Sequence, residues 1–156
     1  MPLQVNDPAP PFVGKDQDNA TIKLADFAGR KLILYFYPKD CTPGCTAQAC
    51  NLRDYYKTLL RAGYDVVGVS TDHATSHKKF IEQEQLPFRL IADETHAIHE
   101  QYGAWVQKSM FGKKYWGTAR LTFVIDETGK IIKMIDRVKT KNHTAQILEQ
   151  HNNLVP

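Results

Sequence analysis

Residues 31–37 read Lys31-Leu32-Ile33-Leu34-Tyr35-Phe36-Tyr37, and this stretch decides the fold. Every position after the lysine is aliphatic or aromatic, with no alternation between apolar and polar side chains. Such a run is typical of a β-strand that is buried on both faces. Pro38 ends the strand, because proline cannot donate a backbone hydrogen bond to a neighbouring strand.

A second strand of the same kind is predicted at Asp65-Val66-Val67-Gly68-Val69-Ser70. Between the two strands a helical pattern extends from Pro43 to Arg61, and Gly63 ends it. Strand, helix and strand at this spacing predict a βαβ unit. Its two strands are therefore parallel and its crossover is right-handed.

The rest of the chain continues the alternation after a proline-rich N-terminal extension. We predict a weak strand at Thr21–Leu24, a helical turn at Asp26–Gly29, a helix at Ala74–Gln85, a strand at Phe88–Ile91, a helix at Thr95–Tyr102, a loop or short edge strand at 104–119, a hairpin of Leu121–Ile125 and Ile131–Ile135, and a closing helix at Thr144–Asn152. This order predicts the α/β class, with a central mixed β-sheet flanked by helices. A length of 156 residues favours a single domain spanning 1–156.

Composition and charge exclude several classes of protein. Lysine and arginine number 20 and aspartate and glutamate 17, so the net charge is only +3, which argues against nucleic-acid binding. The N-terminus lacks a basic region followed by an apolar core, so no signal peptide is predicted. The longest apolar run, Leu32–Tyr37, is too short to span a bilayer. We therefore expect a soluble, cytoplasmic protein without a membrane segment.

Three cysteines, Cys41, Cys45 and Cys50, fall within ten residues. Without a secretion signal, such a cluster indicates redox or metal chemistry rather than a structural disulfide framework. Thr42 is a preferred N-cap and Pro43 suits the first helical position, so Cys45 is expected to be the third helical residue and to donate its backbone N–H to the Thr42 hydroxyl. The unpaired N–H groups and the helix dipole favour a thiolate there. Cys45 is therefore the candidate nucleophile.

The helical periodicity separates Cys45 from Cys50. Cys45 is predicted near the centre of an apolar face and Cys50 on the opposite face, so we expect Cys45 to be recessed and Cys50 to be more accessible. The apolar face comprises Leu52, Tyr55, Tyr56, Leu59 and Leu60. On a regular helix the two cysteine Cα atoms would be about 8.6 Å apart, whereas disulfides rarely tolerate more than about 7 Å. A Cys45–Cys50 bond would therefore require the first turns of the helix to unwind.

Several phrases along the chain carry a resemblance to a known family. They are Asp7-Pro8-Ala9-Pro10 with Phe12, Tyr35-Phe36-Tyr37-Pro38-Lys39, the signature Pro38-x3-Thr42-x2-Cys45, and Arg120-Leu121-Thr122-Phe123-Val124-Ile125-Asp126. With them the chain resembles the peroxiredoxins, in particular the bacterioferritin comigratory protein (PrxQ) branch, which implies a thioredoxin-like fold. Cys50 stands where this branch often carries its resolving cysteine, and Arg120 falls on the family's active-site arginine.

The resemblance implies an antioxidant thiol peroxidase that reduces hydrogen peroxide and organic hydroperoxides. Cys45 would attack a peroxide oxygen and become a sulfenic acid. Thr42 and the Cys45 N–H would position the peroxide, Arg120 would stabilise the negative charges, and Pro38 would shield the pocket from water. Cys50 would condense with the sulfenic acid to a disulfide, which a thioredoxin-type dithiol would reduce. The cycle would need neither metal nor organic cofactor, and we expect a monomer.

Cys41 has no counterpart in the family signature. It could compete with Cys50 for the sulfenic acid of Cys45, although a bystander thiol is the interpretation that we favour. Cys41-x3-Cys45 with His99 or His143 also resembles the copper-delivering Sco proteins, whose soft ligands suit copper. Those proteins are usually membrane-anchored, and no anchor is predicted in this sequence.

A thioredoxin-type dithiol oxidoreductase is a further alternative. That chemistry normally uses Cys-x2-Cys and a cis-proline before a later strand, whereas no proline lies between Pro87 and Pro156.

Four histidines are expected on solvated helix faces. His73 and His77 are four residues apart, a spacing compatible with a metal, but the sequence offers no obvious third ligand. His96 and His99 lead to the same expectation.

Overall fold

A five-stranded mixed sheet forms the centre of the computed structural model, which describes residues 2–149. The strands are β1 (Val13–Lys15), β2 (Thr21–Lys23), β3 (Lys31–Phe36), β4 (Tyr64–Ser70), β5 (Arg89–Ala92), β6 (Trp105–Met110), β7 (Lys113–Thr118), β8 (Leu121–Ile125) and β9 (Ile131–Ile135). The helices are α1 (Pro43–Asp54), α2 (Tyr56–Arg61), α3 (Ala74–Glu84), α4 (Ala97–Gln101) and α5 (His143–Leu148), with short 3₁₀ turns at Leu24–Phe27 and Thr140–Asn142.

The apolar strand β3 is the middle strand of the sheet, whose order is β5-β4-β3-β8-β9. β3 pairs with β4 in parallel and with β8 antiparallel. The edge strands are β5, which pairs with β4, and β9, which pairs with β8. This arrangement confirms the predicted βαβ unit and the mixed sheet. It also explains the continuous apolar run, because a central strand covered on both faces exposes neither set of its side chains.

Alternate residues of β3 divide the core into two clusters, one on each face of the sheet. One cluster contains Leu32, Leu34 and Phe36, together with residues of the N-terminal segment and α4. The other contains Ile33 and Tyr35 of β3 and Tyr37 just beyond its end, together with Cys45, Ala49 and Leu52 of α1 and residues of α2, α3 and α5. The helix that carries Cys45 and Cys50, α1, is therefore packed against this second face of the sheet.

The prediction of one continuous helix from Pro43 to Arg61 is wrong, because the helix is interrupted at Tyr55. Tyr55 has φ −107° and ψ 13°, outside the helical range, and α2 starts at the next residue. Tyr56 now donates its hydroxyl to Asp65 at 3.0 Å. As a result Tyr55 and Leu60, both predicted on the apolar face, are 50 % and 37 % exposed.

The prediction of a loop or short edge strand at 104–119 is also wrong. β6 and β7 form a regular antiparallel hairpin that is separate from the central sheet. Its two-residue turn, Phe111-Gly112, has positive φ at both positions (51° and 77°), as a type I′ turn requires. Because most of its side chains are exposed on both faces, the hairpin lacks the apolar alternation by which strands are recognised in a sequence.

The other predicted elements are present with shifted ends, and the hairpin of β8 and β9 is confirmed. The closing helix begins at His143, and residues 150–152 of the prediction lie outside the described part of the chain. Across residues 2–149, no helix combines the length and the apolar character needed to cross a membrane.

His143 connects β8 to the first turn of α5 and is fully buried. Its Nε2 lies 2.8 Å from the Thr122 hydroxyl and its Nδ1 lies 2.9 Å from the Gln146 amide oxygen. Burial lowers the pKa of His143 from its ordinary value of 6.5 to about 4, because the charged ring would lose its hydration.

This lowered pKa predicts a loss of stability on acidification. Between pH 6.5 and pH 4 the unfolded chain binds a proton at His143 that the folded chain does not, so the free energy of unfolding falls as the pH falls. We expect His143 to account for a loss of about 2 to 3 kcal/mol between pH 7 and pH 4.5. Urea denaturation at the two pH values should show this loss in wild type but not in His143→Gln. An equal loss in both proteins would refute the assignment, and His73→Gln, at an exposed site, is the control.

Candidate active site

Cys45 lies in the first turn of α1, directly after the connection from β3, and is 2 % exposed. It belongs to the same core cluster as Tyr35 and Tyr37 and as Ala49 and Leu52 of α1. Cys50, on the same helix, is half-buried, and Cys41 is exposed. The predicted contrast between a recessed Cys45 and a more accessible Cys50 is therefore confirmed, and all three cysteines are free thiols.

Thr42 is the N-cap residue of α1, as predicted, but its hydroxyl does not accept a hydrogen bond from Cys45. The Thr42 hydroxyl instead donates to the Lys39 carbonyl oxygen at 2.8 Å. The predicted cap bond is thus wrong, because the hydroxyl turns towards a carbonyl oxygen of the preceding loop. One consequence is that no described side chain caps the N–H groups at this helix start, so they remain free to bind an anion or a polar ligand.

Arg120 provides the positive charge of the site. One guanidinium nitrogen donates to Cys45 Sγ at 3.3 Å, and another donates to the Gln48 side-chain oxygen at 2.6 Å. Arg120 lies between the end of β7 and the start of β8, next to the central sheet. The structure therefore brings two sequence-predicted residues, distant along the chain, into direct contact.

Gln48 is a site residue that the sequence reasoning missed. It is fully buried and orients the Arg120 guanidinium through its oxygen. Its position three residues after Cys45 places both side chains on one face of the helix. That spacing, with a polar residue on a face otherwise packed against the core, is the signal that could have identified it.

Two buried polar groups at this face have no hydrogen-bond partner among residues 2–149: the Gln48 amide nitrogen and the Tyr35 hydroxyl. Burial, and the negative charge that Cys45 can carry, raise the pKa of Tyr35 well above its ordinary value, so the hydroxyl keeps its proton. Unpaired buried donors are uncommon in folded proteins. Here they leave hydrogen-bonding capacity near the Cys45 sulfur.

The other two thiols both contact the end of α3. Cys50 donates to the Glu84 carboxylate at 3.3 Å, and Cys41 donates to the Gln83 side-chain oxygen at 3.4 Å. Burial and the Glu84 hydrogen bond raise the pKa of Cys50, and burial with the charge of Asp40 raises the pKa of Cys41. Both cysteines are therefore held as neutral thiols, whereas Cys45 accepts a hydrogen bond from the Arg120 guanidinium.

Pro38 is half-buried, two residues beyond the end of β3. It begins the connection that carries Thr42 and Cys45 towards α1. Its role in excluding water stays a prediction.

Residues 5–134 match the AhpC/TSA family, which covers most of the chain. The chain belongs to the AhpC/TSA family. It is similar to peroxiredoxin Bcp of Escherichia coli (strain K12), with 48 % identity over 147 residues and 94 % of each chain covered. It is likewise similar to peroxiredoxin Bcp of Bacillus subtilis (strain 168), with 41 % identity over 149 residues, 96 % of this chain and 95 % of the relative.

Among solved structures, peroxiredoxin Q of Xanthomonas campestris is similar to this chain. The TM-score is 0.83 at 30 % sequence identity, over 88 % of this chain and 87 % of that chain. These similarities confirm the peroxiredoxin branch and the thioredoxin-like fold that the sequence phrases predicted, and none of them supports the copper-binding alternative.

The expectation that the histidines lie on solvated faces is wrong for two of them in this peroxiredoxin. His77 and His99 are fully buried. His77 lies three residues before Phe80 on the inner face of α3, so it belongs to the packed side of that helix. His99 contacts the Asp93 carboxylate at 2.7 Å and the Thr118 hydroxyl at 2.8 Å.

The soft-ligand set considered for copper is not assembled in this peroxiredoxin. Both ring nitrogens of His99 and of His143 already contact protein atoms, and Cys41 contacts Gln83 at the end of α3. Neither histidine therefore has a ring nitrogen available to bind a metal together with Cys45.

Proposed function

We propose that this peroxiredoxin is a thiol-dependent peroxidase in which Cys45 is the nucleophile that reduces the peroxide. The observation that carries the proposal is the 3.3 Å contact between the buried Cys45 sulfur and the Arg120 guanidinium, at a helix start whose N–H groups are capped by no side chain of residues 2–149. A thiolate is the reactive form of cysteine, and a guanidinium and free N–H groups are the partners that favour a negative charge.

The peroxide is positioned by Thr42 and by the backbone N–H of Cys45. Because the Thr42 hydroxyl gives its own proton to the Lys39 carbonyl, its lone pairs are available to accept the O–H of a peroxide. The Cys45 N–H, together with the Gln48 amide nitrogen, which has no partner among residues 2–149, can donate to the peroxide oxygens. Pro38 limits access of water to this pocket.

In the chemical step the Cys45 thiolate attacks one peroxide oxygen and the O–O bond breaks. The sulfur is oxidised to a sulfenic acid, and the second oxygen leaves as water or an alcohol after it takes up a proton. Negative charge moves from the sulfur to the leaving oxygen during this step. The Arg120 guanidinium contacts the sulfur and can stabilise the negative charge on both the sulfur and the leaving oxygen. Gln48 accepts a hydrogen bond from its other nitrogen and so holds the guanidinium in place.

Cys50 then resolves the sulfenic acid. Its thiol attacks Cys45, a Cys45–Cys50 disulfide forms, and water leaves. Because both residues belong to one regular helix, this step requires the start of α1 to unwind and Cys50 to leave Glu84. A thioredoxin-type dithiol reduces the disulfide by exchange, and since both cysteines lie on one chain, a monomer suffices for the cycle.

Serine variants test the resolving role in an assay that couples hydrogen peroxide reduction to NADPH through thioredoxin and its reductase. We expect Cys50→Ser to oxidise once and then stop, with steady-state turnover reduced at least about 100-fold, because no intramolecular disulfide forms. Cys41→Ser is the matched control, since Cys41 also contacts the end of α3 but has no place in the cycle. Full turnover by Cys50→Ser, or loss of turnover in Cys41→Ser, would contradict the proposal.

A further inference from the structure

A buried pair, Asp40 and His77, lies immediately before the cysteine-bearing segment. Asp40 is 5 % exposed, and His77 is fully buried. One carboxylate oxygen of Asp40 accepts from the Tyr37 hydroxyl at 2.6 Å. The other accepts from the Ser76 hydroxyl at 2.8 Å and lies 2.7 Å from His77 Nδ1. The loop before α1 is thereby joined to α3.

The geometry of His77 fixes the number of protons in this pair. Its Nε2 lies 2.8 Å from the Ile91 carbonyl oxygen, which only accepts, so Nε2 carries a proton. Two lone pairs cannot face each other across the 2.7 Å between Nδ1 and Asp40, so a second proton lies between them. Asp40 and His77 together therefore carry no net charge and share a charge-assisted hydrogen bond, which is stronger than a neutral one.

The backbone of Asp40 is held as well. Its N–H donates at 2.8 Å to the carboxylate of Asp72, which lies two residues beyond the end of β4. The next residue, Cys41, has a positive φ of 63°, so the chain changes direction directly after this anchor. The Lys39 carbonyl that receives the Thr42 hydroxyl belongs to the same peptide group as the Asp40 N–H.

A second anchor lies beyond the cysteines at Asn51. Its side-chain nitrogen donates to the Lys141 carbonyl at 2.9 Å, and its oxygen accepts from the Thr144 backbone N–H at 2.7 Å. The segment between the anchors, residues 41–50, contains all three cysteines. It is also the segment that must unwind for a Cys45–Cys50 disulfide to form.

We propose that Asp40 and His77 form a positioning pair that holds the segment 41–50 in its folded, peroxide-reactive arrangement and confines unwinding to that segment. This proposal rests on the proposed function, in which the folded form reacts with peroxide and the unwound form makes the disulfide. Weakening the pair displaces the Lys39–Asp40 peptide, and with it the carbonyl that orients Thr42. The two chemical steps therefore respond in opposite directions: oxidation of Cys45 slows and disulfide formation accelerates.

The variant Asp40→Asn tests this, because an amide has one oxygen and cannot accept from Tyr37, Ser76 and His77 together. We expect oxidation of Cys45 by hydrogen peroxide, measured in single turnover in a Cys50→Ser background, to slow about tenfold. Disulfide formation after oxidation, measured with Cys50 present by rapid quenching and thiol alkylation, should accelerate by a similar factor. Asp54→Asn, an exposed substitution on α1 outside this network, should change neither rate.

Hydrogen exchange of the reduced protein gives a readout that needs no peroxide. Amides of residues 41–50 should exchange at least about tenfold faster in Asp40→Asn, while those of β3 and β4 stay unchanged. If both rates move in the same direction, or if exchange rises equally throughout the chain, the pair is structural only and the proposal fails. His77→Gln replaces Asp40→Asn if the latter does not fold. A wild-type protein that never reacts with peroxide would overturn the proposed function, a different outcome.

Discussion

Cys45→Ser should lose essentially all peroxidase activity, at least roughly 1,000-fold in the rate constant for peroxide reduction. A serine hydroxyl cannot be oxidised to a sulfenic acid, so the cycle has no first step. The two remaining cysteines are poor substitutes. Burial and a neighbouring carboxylate raise the pKa of both Cys41 and Cys50, which keeps them in the unreactive thiol form.

The loss in Cys45→Ser is measured as consumption of hydrogen peroxide under single-turnover and steady-state conditions. Serine is close to cysteine in size, so the fold of α1 should be retained, which circular dichroism can verify. Cys41→Ser provides the comparison, because it removes a thiol four residues away and should leave the rate nearly unchanged. A Cys45→Ser protein that still reduces peroxide at the wild-type rate would disprove the assignment of the nucleophile.

Arg120→Lys should lower the rate constant for oxidation of Cys45 by about 100-fold or more, which is the effect of removing one preorganised donor from a developing negative charge. Lysine keeps the positive charge but lacks the planar guanidinium, whose two nitrogens donate to the Cys45 sulfur and the Gln48 oxygen at the same time. Arg120→Gln, which also removes the charge, should be slower still. The measurement is single-turnover oxidation of Cys45 at several peroxide concentrations.

Arg61→Gln is the control for the arginine variants, since Arg61 is exposed on α2. It should react at the wild-type rate. If Arg120→Lys and Arg120→Gln also keep that rate, Arg120 has no part in the chemistry and its contact with the sulfur is structural.

The centre of the fold could be predicted from sequence because burial on both faces leaves a continuous apolar run. That signal located β3 and β4, and the helical pattern between them predicted their parallel pairing. It does not exist for β6 and β7, whose side chains are largely in solvent. The interruption at Tyr55 was missed for a different reason: α2 is directed by tertiary contacts such as the bond between Tyr56 and Asp65, which helical periodicity does not reveal.

At the candidate site, the helix-start residues Thr42 and Pro43 predicted that Cys45 lies in the first turn of a helix. The family resemblance of the phrase that begins at Arg120 predicted a second site residue, far from Cys45 along the chain. Residues that act through buried contacts were not recognised. Polar side chains ordinarily lie at the surface, so the sequence did not indicate burial of Gln48, Asp40 and His77. Only the packing of α1 and α3 on the sheet shows that these three side chains are buried. The predicted hydrogen bond of the Thr42 hydroxyl was wrong, because this hydroxyl donates to the Lys39 carbonyl oxygen instead.

The most direct test of the account is to identify the atom that peroxide oxidises. Reduced Cys50→Ser protein would be treated with one equivalent of hydrogen peroxide in the presence of dimedone, which traps sulfenic acids, and the modified residue located by mass spectrometry. We predict one adduct per chain, on Cys45. An adduct on Cys41 instead, or consumption of the peroxide with Cys45 left unmodified, would contradict it.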